Sequence, residues 1–287
     1  MVNHNYFTQR DVERLEEQAV QIRQDIISMI HAAKAGHPGG SLSAADVLTY
    51  LYFKEMHVDP AHPADENRDR FVLSKGHCCP ALYATLALKG YFPMEELQKL
   101  RHIGAMLQGH PNMLDTPGID MSTGSLGQGV SAACGMALAA KLSGKDYRVY
   151  SMLGDGEIEE GQVWEAAMFA SHKKLDNLCL IVDNNDLQID GTLDEVCSPY
   201  PIDEKFRAFG FDTVVIDGHD FDAMEAAFAH VKEVKGKPCV IIAKTVKGKG
   251  VSFMENQVGW HGTAPNKEQY EVAMQDLKQA LAALEVE

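Results

Sequence analysis

The sequence predicts an α/β fold, a mostly parallel sheet with helices on both faces. Three observations carry this. Apolar runs at 147–153, 178–183 and 239–244 are short and rich in β-branched residues, as buried parallel strands are. Stretches of helical periodicity separate them. No low-complexity linker or internal repeat interrupts the alternation, so helices are expected to cover both faces of one sheet.

In chain order, residues 9–34 form a long amphipathic helix with Leu15, Ala19, Ile22, Ile26 and Ile30 on one face, ending before Gly36. Helical segments follow near 44–53, 80–89 and 93–103, with a short strand at 71–73 between the first two. A small-residue helix at 130–142 is suited to close packing, and Thr123 or Ser125 would cap its start. The strand 147–153 leads to a helix at 161–174, with Val163, Ala166, Ala167 and Ala170 at helical spacing, and then to the strand 178–183. A strand at 213–216, a helix at 222–234, the strand 239–244 and a last helix from Lys267 complete the pattern. The 287 residues are expected to form a single domain with a substantial core.

Composition narrows the partners. A net charge of −15 argues against nucleic acid or an anionic membrane, and any phosphorylated ligand must be met by local cations or a metal. The six cysteines, Cys78, Cys79, Cys134, Cys179, Cys197 and Cys239, show no metal-ligand spacing and read as reduced thiols of a cytoplasmic protein. Neither a signal peptide nor a membrane span is expected.

The chemistry concentrates at Gly154-Asp155-Gly156 and, beyond the 27 residues 157–183, at Asn184-Asn185. Asp155 falls at the carboxyl end of one strand, where open α/β sheets place ligands, and Gly156 lets the backbone approach a phosphate. A crossover helix and a neighbouring parallel strand bring Asn185 to the same edge. Both residues offer hard oxygen ligands, which suit Mg²⁺ or Ca²⁺ rather than zinc, with phosphate oxygens and water completing the shell. An isolated Gly-Asp-Gly also reads as a plain turn. The strand context and the paired asparagines resemble thiamine diphosphate enzymes, whose signature is a Gly-Asp-Gly followed by an Asn a little under thirty residues on. That resemblance implies metal ligation by Asp155, Asn185 and the carbonyl of Leu187, with the Gly156 N–H facing the diphosphate.

Four further clusters pair a histidine with glycine: Gly36-His37-Pro38-Gly39-Gly40-Ser41, Ser74-Lys75-Gly76-His77, Gly109-His110-Pro111 and Trp260-His261-Gly262. All four are expected in loops, and each histidine taken singly reads as a structural loop residue. Together, in this order, they resemble the cofactor-domain motifs of transketolase from about Asp11 to Pro265. The stretch from Ser122 to Gly129 extends the likeness: Gly124, Ser125 and Leu126 match the loop beside the thiazolium ring, with Ile189 on its other side. The family's usual proline is Ser125 here. By the same resemblance His77 and His261 bind the diphosphate and frame the reacting carbon, while His37 and His110 bond the hydroxyls or carbonyl oxygen of a ketose. Imidazole can donate to an oxyanion and move a proton near neutral pH. Glu160 matches an acidic residue that links the two active sites across the family's dimer; a favourable charge at a helix N-terminus is its plainer reading.

The implied reaction is transfer of a two-carbon ketol unit from a ketose to an aldose, commonly sugar phosphates, with the cofactor as electron sink. The family's pyrimidine-binding and carboxyl-terminal domains, which carry the cofactor-activating Glu and the phosphate-binding Arg and His, are expected to be absent from this chain. The chain thus resembles the amino-terminal subunit of a split transketolase, completed by a separate carboxyl-terminal subunit, two copies of each. A 2-oxoacid dehydrogenase α subunit, a deoxyxylulose phosphate synthase part and a non-catalytic cofactor-binding module remain as alternatives.

Overall fold

The computed structural model describes residues 7–284. Helix α1 (Gln9–Ala33) is opened by a capping box, in which the Asp11 N–H donates to Thr8 Oγ1 and the Thr8 N–H donates to the Asp11 carboxylate. It ends where Lys34 turns left-handed (φ 53°). Its stripe Leu15, Ile22, Ile26 and Ile30 is fully buried, and each such side chain contributes about 1.5–3 kcal/mol by leaving water.

Helix α2 (Pro38–Tyr50) begins six residues before the expected 44, so the cluster 38–41 is the first turn of a helix rather than a loop. Pro38 occupies the first helical position, where its fixed φ and missing N–H cost nothing. Gly39 and Gly40 are required by crowding, because a Cβ on Gly39 would sit 2.9 Å from the Trp260 carbonyl oxygen and one on Gly40 2.7 Å from Cys78 Sγ. Strand β1 (Arg70–Leu73) and helix α3 (Cys79–Lys89) follow nearly as expected. The helix expected at 93–103 is instead a short 3₁₀ turn, Met94–Lys99, stopped by extended Leu100 and left-handed Arg101 (φ 61°).

Helix α4 (Gln128–Ser143), strand β2 (Val149–Gly154), helix α5 (Gly161–His172) and strand β3 (Leu178–Asn184) build the central crossover. Two short helices, α6 (Leu193–Val196) and α7 (Ile202–Ala208), lie where the sequence pattern predicts no element; a capping box between Thr192 and Glu195 marks the first. Strand β4 (Asp212–Asp217), helix α8 (Phe221–Glu233), strand β5 (Cys239–Lys244) and helix α9 (Lys267–Leu284) complete the chain.

Among the described residues the five strands are parallel in the order β1-β2-β3-β5-β4. Alternation along them separates two cores. Tyr150, Met152, Cys179, Ile181 and Ile241 face a core shared with α1, α2, α3, α8 and α9. Val149, Leu153, Leu180, Val182 and Ile242 face the core beneath α4, α5 and α7. Both faces are thus covered, which explains strands that are apolar at successive positions. Register places Gly154 opposite Asp183 and Asn184 opposite Lys244, so the carboxyl ends of β2, β3 and β5 share one edge. All six cysteines are unpaired, and five of them are buried. Among the described residues no helix is long and apolar enough to cross a membrane.

Candidate active site

At that edge Asp155 is 2% exposed and heavily bonded. Its Oδ2 accepts from Asn184 Nδ2 (3.1 Å) and from the backbone N–H groups of Asn185 and Asp186 (2.7 Å each). Its Oδ1 accepts from the Gly156 N–H (2.9 Å). A carboxylate has about four lone-pair sites, so Oδ1 keeps capacity for a further partner while Oδ2 is saturated. Burial raises the Asp155 pKa to about 6, against the lowering effect of these donors. Among the described residues, no Lys or Arg forms an ion pair with it.

Asp183, fully buried beside it, is treated differently. Its oxygens accept from Ser43 Oγ (2.6 Å), Lys75 Nζ, Thr245 Oγ1 and Asn185 Nδ2 (3.3 Å). Burial would raise its pKa, but the Lys75 ammonium and these donors outweigh it and hold the carboxyl below its ordinary value. Lys75, itself buried, also donates to the Gly40 carbonyl (3.0 Å). One acid at the strand ends therefore has an internal cation and the other lacks one. A buried unpaired carboxylate is costly, and a divalent cation bound through Asp155 Oδ1 would relieve that cost.

Asn185 places its Oδ1 where it accepts from the Leu187 N–H (3.3 Å). The Leu187 carbonyl accepts from Lys247 Nζ (2.9 Å), and the same ammonium lies 3.0 Å from His261 Nδ1. A carbonyl oxygen has a second lone pair, so this contact leaves the expected ligand role of Leu187 open to a cation.

Three of the four histidines converge. Ring centroids of His37, His77 and His261 lie 5.1–5.5 Å apart, with His77 and His261 stacked and His37 edge-on to both. Burial, reinforced by nearby cations, lowers every one of these pKa values: to about 4 for His37, to about 3 for His261 and well below the usual value for His77. The rings are neutral at pH 7. The buried Nδ1 of His37 has no hydrogen-bond partner, and an oriented imidazole nitrogen of this kind suits a polar ligand group. His110 stands at the margin: its ring packs where a Cβ on Gly124 would be (3.1 Å to Cδ2), and burial and Arg101 lower its pKa.

These groups surround a cavity of about 270 Å³. Of the expected site residues, His37, His77, Gly124, Leu126, Gly154, Asp155, Gly156, Asn185, Leu187, Ile189 and His261 line it, whereas His110, Ser125 and Glu160 do not. Leu126 and Ile189 are 36% and 60% exposed, so apolar walls face the open side. Gly156 keeps the floor clear, because a Cβ there would press on Gln188 at 3.0 Å. Glu160 is exposed at the start of α5, with its Cβ against Gly127.

Neither Thr123 nor Ser125 caps α4, contrary to expectation. Left-handed Gly127 (φ 79°) holds that position, its N–H donating to Glu157 Oε1 (2.9 Å), while Thr123 Oγ1 ties the loop to the Leu73 carbonyl (2.7 Å). Glu157 also accepts from Ser74 Oγ (2.5 Å) and the Gly154 N–H (3.1 Å), so one buried carboxylate joins three site loops. Sequence reasoning missed the roles of Glu157, Lys75, Lys247 and Gln188. Lys75 lies inside the Ser74–His77 motif, and Lys247 follows the last strand at the ligand edge, so position was the available signal.

Residues 15–282 match the family model of the transketolase thiamine diphosphate binding domain. The chain is 48% identical over 264 residues to the 6-deoxy-6-sulfo-D-fructose transketolase subunit SqwG of Clostridium sp. (strain MSTE9), a match covering 92% of this chain and 96% of that protein. It is 44% identical over 276 residues to an apulose-4-phosphate transketolase subunit from Phocaeicola vulgatus, covering 96% and 98%. Mouse transketolase is 42% identical over 273 residues, and there the match covers 94% of this chain but 43% of the relative. The crystal structure of transketolase from Campylobacter jejuni superposes with a TM-score of 0.87 at 33% identity, covering 94% of this chain and 45% of that one. The chain therefore spans under half the length of these last two.

Proposed function

This chain belongs to the transketolase family, as its thiamine diphosphate-binding part, and from that premise we propose that it is the amino-terminal subunit of a heteromeric transketolase. The complex moves a two-carbon ketol unit from a ketose to an aldose. The observation that carries this reading is the meeting, at one sheet edge, of Asp155, a buried carboxylate without a side-chain cation, and three neutral imidazoles. Two curated relatives matched almost end to end are themselves transketolase subunits, which supports a separate partner.

The residues fit the cofactor and its metal. Asp155 Oδ1, the Asn185 amide oxygen and the Leu187 carbonyl would hold Mg²⁺ or Ca²⁺, hard cations that accept this oxygen set. The N–H groups and cations near the floor, including Lys247, would face the diphosphate, with His77 and His261 beside it. Thiamine diphosphate supplies the electron sink for breaking and making the carbon–carbon bond. Everything else falls to the protein. Leu126 and Ile189 exclude water from the ring, while Gly124 and Ser125 shape its loop. His37 and His110 bond the oxygens of the ketose, and their neutral rings can each donate one proton and accept another. Glu160, exposed beside the loop, is proposed as an inter-subunit contact.

The pyrimidine-binding domain with the cofactor-activating acid is assigned to the partner, as are the groups that grip a sugar phosphate. Two copies of each subunit are proposed, since the family builds its sites between protomers. The six unpaired thiols support a cytoplasmic setting.

The test is coexpression with a carboxyl-terminal partner encoded in an adjoining reading frame, followed by a ketose-to-aldose transfer assay with thiamine diphosphate and Mg²⁺. Transfer is expected from the complex and from neither chain separately. Activity of this chain without a partner would overturn the split-enzyme reading.

A further inference from the structure

The cavity's Lys247 sits on the loop that follows β5, and a chain of polar groups running from α1 through α2 reaches that loop. Arg23 on α1 grips Asp46 on α2 through both guanidinium nitrogens, NH1 donating to Oδ1 at 3.0 Å. Both residues are 5% exposed. Asp46 Oδ2 lies 2.5 Å from Nδ1 of His219, in the turn after β4. On the opposite edge of that ring, Nε2 accepts the backbone N–H of Val246 at 2.9 Å. An Nε2 that accepts must be unprotonated, so Nδ1 carries the hydrogen and donates to Asp46; the two contacts select one neutral tautomer. The next residue is Lys247, whose ammonium touches the Leu187 carbonyl and His261. Other bonds fix the loop beyond it, since the Gly248 N–H donates to the Gly39 carbonyl (3.0 Å) and the Asn256 N–H to the Lys247 carbonyl (2.9 Å). His219 itself does not line the cavity.

We propose that His219 is a positioning residue for cofactor binding: held by Asp46 and Arg23, it anchors Val246 and thereby sets where Lys247 presents its ammonium to the diphosphate. The inference rests on the proposed reading of the cavity as a thiamine diphosphate site. Loss of one such backbone anchor, a hydrogen bond of ordinary strength, corresponds to roughly five- to tenfold in affinity. Two substitutions divide the ring's roles. In His219→Asn the amide can still donate to Asp46 but is too short to reach Val246. In His219→Gln the amide oxygen reaches the Nε2 position and can accept from Val246.

The experiment is a fluorescence titration of the complex with its carboxyl-terminal partner, using thiamine diphosphate in the presence of Mg²⁺, repeated in a Lys247→Met background. His219→Asn is expected to weaken binding about tenfold, His219→Gln to recover most of the loss, and His219→Asn to add nothing once Lys247 is replaced, because residues acting through one contact are not additive. In the assembled enzyme at saturating cofactor, His219→Asn should leave kcat unchanged. Unaltered binding by His219→Asn, or losses that add fully to those of Lys247→Met, would overturn the inference while leaving the site reading intact. So would failure of both His219 variants to fold, which would make the residue one that the fold requires. A wild-type complex that does not bind thiamine diphosphate overturns the site reading and this inference together.

Discussion

The carboxylate floor of the cavity is fully buried and its histidine rim only partly so, yet burial acts on both, and in opposite ways. On the floor, Asp155 and Asp183 stand on adjacent strand ends in fixed register, and burial pushes both toward the neutral form. Lys75 keeps Asp183 ionised, while Asp155 has no such side-chain cation among the described residues. On the rim, His37, His77 and His261 come from separate segments, and burial drives them away from the charged form, which here is the cation. Lys75 and Lys247 act on both regions: the charge that satisfies an acid also keeps an imidazole neutral. A site with a negative floor and an uncharged rim follows from one low-dielectric environment and two placed lysines.

Lys75→Met breaks this comparison most severely. It leaves Asp183 buried without its cation, and a loss of about 3–5 kcal/mol in urea unfolding is expected. Asp155→Ala comes next. On the proposal that Asp155 ligates the metal, transfer activity of the assembled enzyme should fall by roughly 100-fold or more, while far-ultraviolet circular dichroism stays native. Some stability is lost as well, because the Asn184 amide and three backbone N–H groups lose their acceptor.

A pH series sharpens the contrast because the two regions have opposite signs. For the rim histidines the folded pKa values lie below the unfolded 6.5, so the unfolded chain binds protons first and their contribution to stability is lost as pH falls from about 6.5 toward 4 and 3. For Asp155 the folded pKa is about 6 against 3.8 unfolded, so its contribution is present below 3.8 and is lost as pH rises through about 6. Thermal unfolding across pH 4–7 should therefore show a flatter acid limb in His261→Gln. Asp155→Asn, which cannot titrate, should shift the profile the other way, and shifts of the same sign would contradict the account. The smallest effect is expected for Ser125→Pro, which restores the family's usual residue at an exposed loop position. Stiffening the unfolded chain should add at most about 0.4–1 kcal/mol, with activity within twofold of the parent.

The floor was far more legible in the sequence than the rim. Gly154-Asp155-Gly156 and Asn184-Asn185 end apolar runs, and the parallel crossover between those runs fixes their edge, so local pattern sufficed to bring them together. The histidines could be collected only by their resemblance to a family, and even then His110 falls at the margin instead of on the cavity wall. Helix boundaries erred where tertiary packing decided them. The 38–41 segment reads as a loop because two adjacent glycines weaken a helix, but Trp260 and Cys78 leave no room for a Cβ there. A hydroxyl cap is the local expectation for α4, whereas left-handed Gly127 stands at that position with no side-chain cap, its own N–H held by Glu157 from another loop.

From sequence come the alternation of helices and buried strands, the strand-end placement of Asp155 and Asn185, and the family to which their spacing points, because these depend on periodicity and on residues close along the chain. Tertiary structure decides which acid has a cation, which imidazoles are neutral and how Lys247 is aimed. Those properties come from groups distant in sequence, Ser43 and Lys75 against Asp183 and Arg23 through His219 to Val246, whose meeting depends on how the helices pack on the sheet.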